Sequence, residues 1–181
     1  MGTLALTIGH STRPLEEFIG LLQANGVKVL VDIRTIPRSR RNPQFNTESL
    51  PASLAEKGID YWPLPGLGGL RRARRDSPNT GWRNLSFRGY ADYMQTPEFV
   101  SGLGDLIALA GQTTVAVMCA EAVPWRCHRW LVADALLVRG ITVEHIMGPG
   151  PRRLHHLTQW ARVKDGRISY PESAGADHRA A

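Results

Sequence analysis

The sequence predicts an α/β protein: a single-domain, three-layer fold with a mostly parallel sheet of about five strands flanked by helices. Short apolar, β-branched runs such as Val29–Ile33 and Thr114–Met118 have the composition of strands covered on both faces. Between these runs lie stretches with helical apolar spacing that end at Gly or Asn-Gly. Strands that alternate with helices pair in parallel and carry helices on both faces. A chain of 181 residues is too short for a barrel of eight βα units, which needs about 250 residues.

Each element follows from local signals. Leu4–Ile8 is an apolar strand that runs into Gly9-His10-Ser11-Thr12. Ser11 or Thr12 is placed to cap the next helix, with Pro14 in its first turn and Glu16 and Glu17 at its positive end. Phe18, Ile19, Leu21 and Leu22 give that helix an apolar face, and Asn25-Gly26 closes it. Val29–Ile33 is the second strand, carrying Asp32 near its end. Ser49–Lys57 reads as a short helix and Ile59–Leu64 as the third strand. Pro65 to Trp82 is rich in Gly, Pro and Arg and reads as irregular, and loops longer than about 12–15 residues are usually functional or disordered. Helices follow around Tyr90–Gln95 and from Pro97 to about Leu109, the second weakened by Gly102 and Gly104. The fourth strand is Thr114–Met118, the next helix Trp130–Val138, and the fifth strand Ile141–Ile146. A last helix is expected over Leu154–Val163, with His155 and His156 on the surface. Residues 1–170 read as one domain and 171–181 as a small, polar, disordered tail.

Composition narrows the function classes. No stretch approaches the roughly 18 consecutive apolar residues of a membrane span, so no membrane partner is expected. The first residues lack the basic region, apolar core and cleavage site of a signal peptide, and the expected location is cytoplasmic. In a reducing compartment the two cysteines are thiols or ligands rather than a structural disulfide. The net charge of +6 points to an anionic partner, nucleic acid or nucleotide. Arg34, Arg38, Arg40 and Arg41 form one cluster and Arg71, Arg72, Arg74 and Arg75 another. Arginine forks match phosphate oxygens, although the same residues also suit a solvated basic surface.

The chemistry concentrates in Cys119-Ala-Glu-Ala-Val-Pro-Trp-Arg-Cys-His-Arg129, which holds both cysteines of the chain. Cys119 falls at the carboxyl end of a strand, with Cys127, His128 and Arg129 at the amino end of a helix. In a parallel sheet the carboxyl ends share one edge, where ligands bind. His10-Ser11, Asp32-Arg34, the Gly66-Leu-Gly-Gly69 loop, Cys119-Glu121 and His145 therefore converge there.

These motifs also carry a resemblance. Thr7-Ile-Gly-His-Ser11, Val31-Asp-Ile-Arg34, Pro37-Arg-Ser-Arg40, Leu67-Gly-Gly69, Tyr90-Ala-Asp-Tyr-Met94 and Met118-Cys-Ala-Glu121 through Cys127-His-Arg129 occur in order over most of the chain. Together they resemble the bacterial and archaeal domain-of-unknown-function family numbered 488. The resemblance implies a compact α/β domain whose motif residues form one site, and it supplies no mechanism.

Three chemical readings compete with a purely structural one. A cysteine is the nucleophile, and Cys127, beside Arg126, His128 and Arg129, fits a lowered thiol pKa better than Cys119. Alternatively, Cys119, Cys127 and His128 with Glu121 or His10 bind a metal, although adjacent Cys-His side chains diverge on a helix and no Cys-x2-Cys pair exists. In the third reading Glu121 is the acid or base while His10, Asp32 and the arginines hold an anionic substrate. The favoured catalytic set is Cys127, Glu121, His10, Asp32 and Cys119. Ser11, Arg34, Arg38, Arg40, Gly68, Gly69, His128 and Arg129 are the substrate-binding set, with no metal ligand assigned and no cofactor identified. The leading function is an enzyme acting on a phosphate-bearing substrate, and its rivals are a nucleic-acid-binding module without catalysis and a Cys/His metal-binding protein.

Overall fold

The computed structural model describes residues 2–173, so most of the tail expected from Pro171 onward lies outside the described residues. The strands β1 (Leu4–Gly9), β2 (Val29–Asp32), β3 (Asp60–Pro63), β4 (Val115–Cys119) and β5 (Thr142–Ile146) are parallel. A sixth strand, β6 (Arg153–Leu154), adds antiparallel to β5, giving the order β3-β2-β4-β1-β5-β6. The helices are α1 (Leu15–Ala24), α2 (Leu50–Ala55), α3 (Leu85–Tyr93), α4 (Pro97–Ala110) and α5 (Arg129–Val138). The expected α/β class and three-layer arrangement are present.

The order of strands decides which face each helix covers. From β1 the chain moves to β2 and β3 in one direction, then returns to insert β4 between β2 and β1 and place β5 beyond β1. Right-handed crossovers put α1 and α2 on one face, and α3, α4 and α5 on the other. Two cores follow. Leu6, Ile8, Leu30, Ala116 and Met118 face Phe18, Leu22, Leu50 and Leu54. Ala5, Val31, Val115, Val117 and Val143 face Tyr90, Phe99, Leu103 and Leu136. The alternation along β4 is that of any strand, residues i and i+2 sharing a face.

Three boundaries depart from the expectation. Helix α1 is capped by neither Ser11 nor Thr12: Pro14 is its N-cap and makes no side-chain bond. Ser11 instead turns the chain at φ 50°, its amide donating to the Ala120 carbonyl at 2.9 Å. Helix α3 starts well before Tyr90, because the Asn84 side chain accepts from the Ser86 and Phe87 amides.

The helix expected over Leu154–Val163 does not form. That stretch supplies β6, a turn and the first strand of a hairpin, β7 (Arg162–Lys164) and β8 (Arg167–Ser169). Asp165 and Gly166, at φ 51° and 74°, form its turn, a conformation that Asp-Gly favours. What holds the segment is polar. Asp134 of α5 is fully buried and accepts from His155 Nε2 at 2.8 Å, the Thr158 hydroxyl at 2.6 Å, the Thr158 amide at 3.1 Å and the Tyr170 hydroxyl at 2.8 Å. Nδ1 of His155 accepts from Nε2 of His145, and Nδ1 of His145 takes the Thr7 hydroxyl hydrogen. His155, expected on the surface, is thus buried while His156 is exposed.

Truncating the hub should be costly, because four buried donors lose their acceptor at once. Asp134→Ala is expected to lower the unfolding free energy by about 3 kcal/mol or more. Urea titration of the variant beside the wild type measures it, and a loss below about 1 kcal/mol would mean the network does not anchor the C-terminal segment.

Candidate functional site

The carboxyl edge of the sheet carries two adjoining hollows. One, of about 340 Å³, is lined by Cys119, Cys127, His128, Gly69, Tyr90 and Arg126, among others. The second, of about 280 Å³, is lined by His10, Ser11, Thr12, Arg38, Ser39 and Asn42, among others. Arg34, Ile36, Ala120 and Glu121 border both, so the two are halves of one cleft. The halves lie on opposite sides of the sheet's end. Cys119 continues the face of Val115 and Val117, whereas His10 continues that of Leu6 and Ile8.

The convergence inferred from the sequence is therefore real but divided. In register, Gly9 lies beside Cys119 and Asp32 beside Met118, which points Asp32 away from the thiols. Asp32 lines neither hollow. It binds Arg34 through Nε at 2.9 Å, Nη2 at 2.7 Å and the backbone amide at 3.0 Å, and it also accepts from the Tyr61 hydroxyl. Asp32 thus positions Arg34, whose guanidinium also donates to the Phe45 carbonyl at 2.8 Å. Burial and this carboxylate push the Tyr61 hydroxyl up to about 12.

His10 is committed in a similar way. Its Nδ1 donates to the Ser11 carbonyl at 2.8 Å, its Nε2 accepts from Arg34 Nη1 at 3.3 Å, and its ring stacks on Phe45. Burial, with Arg34 adding to it, lowers its pKa to about 4. A neutral ring with both nitrogens occupied orients Arg34 rather than serving as a free base. Ser11 lines the cleft from its left-handed turn.

The thiols meet. Cys127 Sγ donates to Cys119 Sγ at 2.7 Å, and both are buried and unpaired by any disulfide. His128 Nε2 donates to the Ile33 carbonyl at 3.0 Å, which leaves Nδ1 facing Cys127 Sγ at 3.5 Å. Burial holds His128 near 4, so Nδ1 is a free lone pair at neutral pH. Gly69 is needed for this packing: a Cβ there would stand 2.8 Å from that nitrogen. Gly68 packs just as closely on Thr35 and lines neither hollow, whereas Gly69 lines the first.

Arg129 is the unexpected element. The sequence suggests a substrate contact, yet the residue is 1% exposed and lines neither hollow. Its Nη2 donates to the Ala122 carbonyl at 3.2 Å, while Nε and Nη1 find no hydrogen-bond partner among the described residues. Gly9 makes the space: a Cβ there would lie 1.8 Å from the Glu121 carbonyl and 2.9 Å from Nη1. A buried cation without a carboxylate favours an anion nearby.

This reverses the expected order of the two thiols. Burial pushes Cys119 up, but the hydrogen bond from Cys127, the Arg129 charge and a backbone bond with Glu121 outweigh it, and Cys119 lies below its ordinary value. Cys127, which donates that hydrogen bond, is raised well above its own, burial adding to the effect. Its position before α5, where Sγ accepts the Arg129 amide at 3.4 Å, does not compensate.

The remaining site residues are peripheral. Glu121 is exposed on the border between the halves. Arg38 lines the second half and pairs with Glu48 at 2.9 Å in solvent, and Arg40 is exposed outside both halves. His145 is taken up by the Thr7–Asp134 network. In the second arginine cluster Arg71 lies over the Tyr93 ring and Arg74 pairs with Asp76, leaving Arg72 and Arg75 exposed. Among the described residues no group of three or more His, Cys, Asp or Glu side chains is placed to hold a metal ion. Tyr90, one of the motif residues, forms a wall of the first hollow with Ile36, Leu70 and Phe87, which the sequence reading missed. Ile36 and Leu70 are 66% and 75% exposed, and an apolar residue in an irregular loop carries no period that would single it out.

Residues 14–136 match the model of the family described as domain of unknown function DUF488, and the chain belongs to that family. No curated protein and no solved structure matches it. Among the described residues no helix is long and apolar enough to cross a membrane.

The buried imidazoles make stability depend on acid. His10 and His128 are lowered to about 4 and His145 to about 3, each first by burial. The unfolded chain takes up these protons below about pH 6.5, the folded protein only near 3 to 4. Their contribution is thus complete above about pH 6.5 and is lost toward pH 4, at up to about 1.4 kcal/mol per pH unit for each ring. Denaturant unfolding is expected to be level from about pH 8 to 7 and to fall by several kcal/mol by about pH 4.5. A level profile down to that pH would show that the rings are protonated in the folded state.

Proposed function

We propose that this protein is an enzyme that uses the Cys119 thiolate as a nucleophile on an anionic, phosphate-bearing substrate of the nucleotide or nucleic-acid class. The observation that carries the reading is the buried Arg129 guanidinium, without a carboxylate partner among the described residues, whose charge bears on two touching thiols that line an open hollow. Such a charge stabilises a thiolate and costs no reorganisation when the reaction begins. Cys127 donates to the attacking sulfur, and the neutral His128 ring lies beside it with Nδ1 3.5 Å from Cys127 Sγ.

The substrate class follows from the walls. Arg34, braced by Asp32 and His10, and Arg126 present guanidiniums at the rim, while Leu70, Phe87 and Tyr90 offer an apolar and aromatic side suited to a planar group. Glu121, between the two halves, is placed to exchange a proton with a bound substrate. The exposed Arg38 and Arg40 extend the basic rim along which a longer phosphate chain would run.

Alkylation of the wild-type protein tests this. Iodoacetamide at less than one equivalent is expected to label Cys119 before Cys127, as read by peptide mass, with a pH inflection below the value near 8.5 of free cysteine. Nucleoside monophosphates should slow the labelling, and Arg126→Gln should weaken that protection several-fold. Labelling of Cys127 first, or an inflection at or above about 8.5, would remove the basis for Cys119 as nucleophile.

A further inference from the structure

We propose that Cys119 and Cys127 form a redox-active dithiol in which Cys119 attacks a small disulfide and Cys127 resolves the mixed disulfide, giving the protein a thiol–disulfide exchange activity. The proposal rests on the reading of Cys119 as the attacking thiolate and adds a role for its neighbour that the phosphate chemistry does not require.

Geometry carries it. The two sulfurs are 2.7 Å apart, nearer than any other polar pairing either makes, and both border the same open hollow. They are carried on different kinds of backbone. Cys119 is fixed at the end of β4, between β1 and β2, whereas Cys127 follows the single turn Pro124–Arg126 in extended conformation, just before α5. A residue on such a connection can shift the small distance that separates contact from a covalent bond while the strand stays in place. No third His, Cys, Asp or Glu among the described residues joins the pair to make a metal site.

The steps balance. The Cys119 thiolate attacks one sulfur of a disulfide RSSR, forming Cys119–S–S–R and releasing RS⁻. The Cys127 thiol gives its proton to the RS⁻ released in the first step, and its sulfur attacks Cys119 Sγ, releasing the second RS⁻ and closing the Cys119–Cys127 disulfide. One protein thiolate and one protein thiol are oxidised to a disulfide and RSSR is reduced to one RSH and one RS⁻, so the single proton and the single negative charge are both accounted for. Attack by the more acidic thiol and resolution by its neighbour is the usual division of labour in exchange. Arg129 favours the reduced, thiolate-bearing form, and stabilising the reduced form makes a pair a stronger oxidant.

The test uses the full chain, reduced and freed of reductant, with one equivalent of dithiobis(nitrobenzoate). The wild type is expected to release two nitrothiophenolates per equivalent, lose both free thiols, carry no adduct and be lighter by two hydrogens. Cys127→Ser should release one and keep a stable adduct on Cys119. A wild-type protein that releases one and retains the adduct would overturn the resolving role while leaving Cys119 as the nucleophile. Absence of reaction at Cys119 would overturn both readings. The wild-type arm decides the matter even if the variant does not fold.

Discussion

Everything at the functional edge depends on where β4 lies. It enters the sheet after both of the strands it joins, between β2 and β1, and the chain leaves it toward the opposite face from the one its neighbours take. Such a divergence opens a crevice beyond the strand ends without removing anything from the core. It also splits the crevice. Side chains continuing the Val115–Val117 face enter the thiol half, and those continuing the Leu6–Ile8 face enter the His10 half. Arg34 joins the halves because Asp32, Phe45 and His10 fix its guanidinium across the sheet's end.

The two faces hold charge in different ways. On the α1–α2 side, Arg34 is neutralised by the Asp32 carboxylate at 2.7 Å. On the α3–α5 side, Arg129 is buried more deeply still, and its guanidinium donates to the Ala122 carbonyl while Nε and Nη1 find no partner among the described residues. Burying one unpaired cation costs several kcal/mol in a medium that cannot relax around it. The charge acts on the nearby thiols in one direction, pulling Cys119 below its ordinary value. Gly9 is part of the same solution, since any side chain there would displace the Glu121 carbonyl from above the guanidinium.

The C-terminal segment is attached by polar contacts instead of apolar ones. Asp134 sits on the buried side of α5 and gathers His155, Thr158 and Tyr170, while β6 extends the sheet by only two residues. A short edge strand alone would fray, and the hydrogen-bonded hub supplies the attachment that packing does not. In this way α5 begins at the thiols with Arg129 and, one turn further on, anchors the end of the chain with Asp134.

Much of this was legible from the residues. The five parallel strands, the helices between them, and the meeting of His10, Arg34, Cys119 and Glu121 at one edge follow from period and from parallel topology. Even the separation of Asp32 from Cys119 is implicit, since Asp32 shares its parity with Leu30, and Cys119 with Val117. The Asp165-Gly166 turn and the Asn84 cap were also written in the chain, as local backbone chemistry. What the chain could not disclose is which strand lies beside which, and hence that Gly9 abuts Cys119, that Arg129 turns inward under Gly9, and that His155 reaches Asp134. Secondary structure is set by neighbours a few residues apart, and sequence exposes it. The pKa order of two thiols and the fate of a buried guanidinium are set by groups that only the folded packing brings within a few ångströms, so the tertiary structure alone decided them.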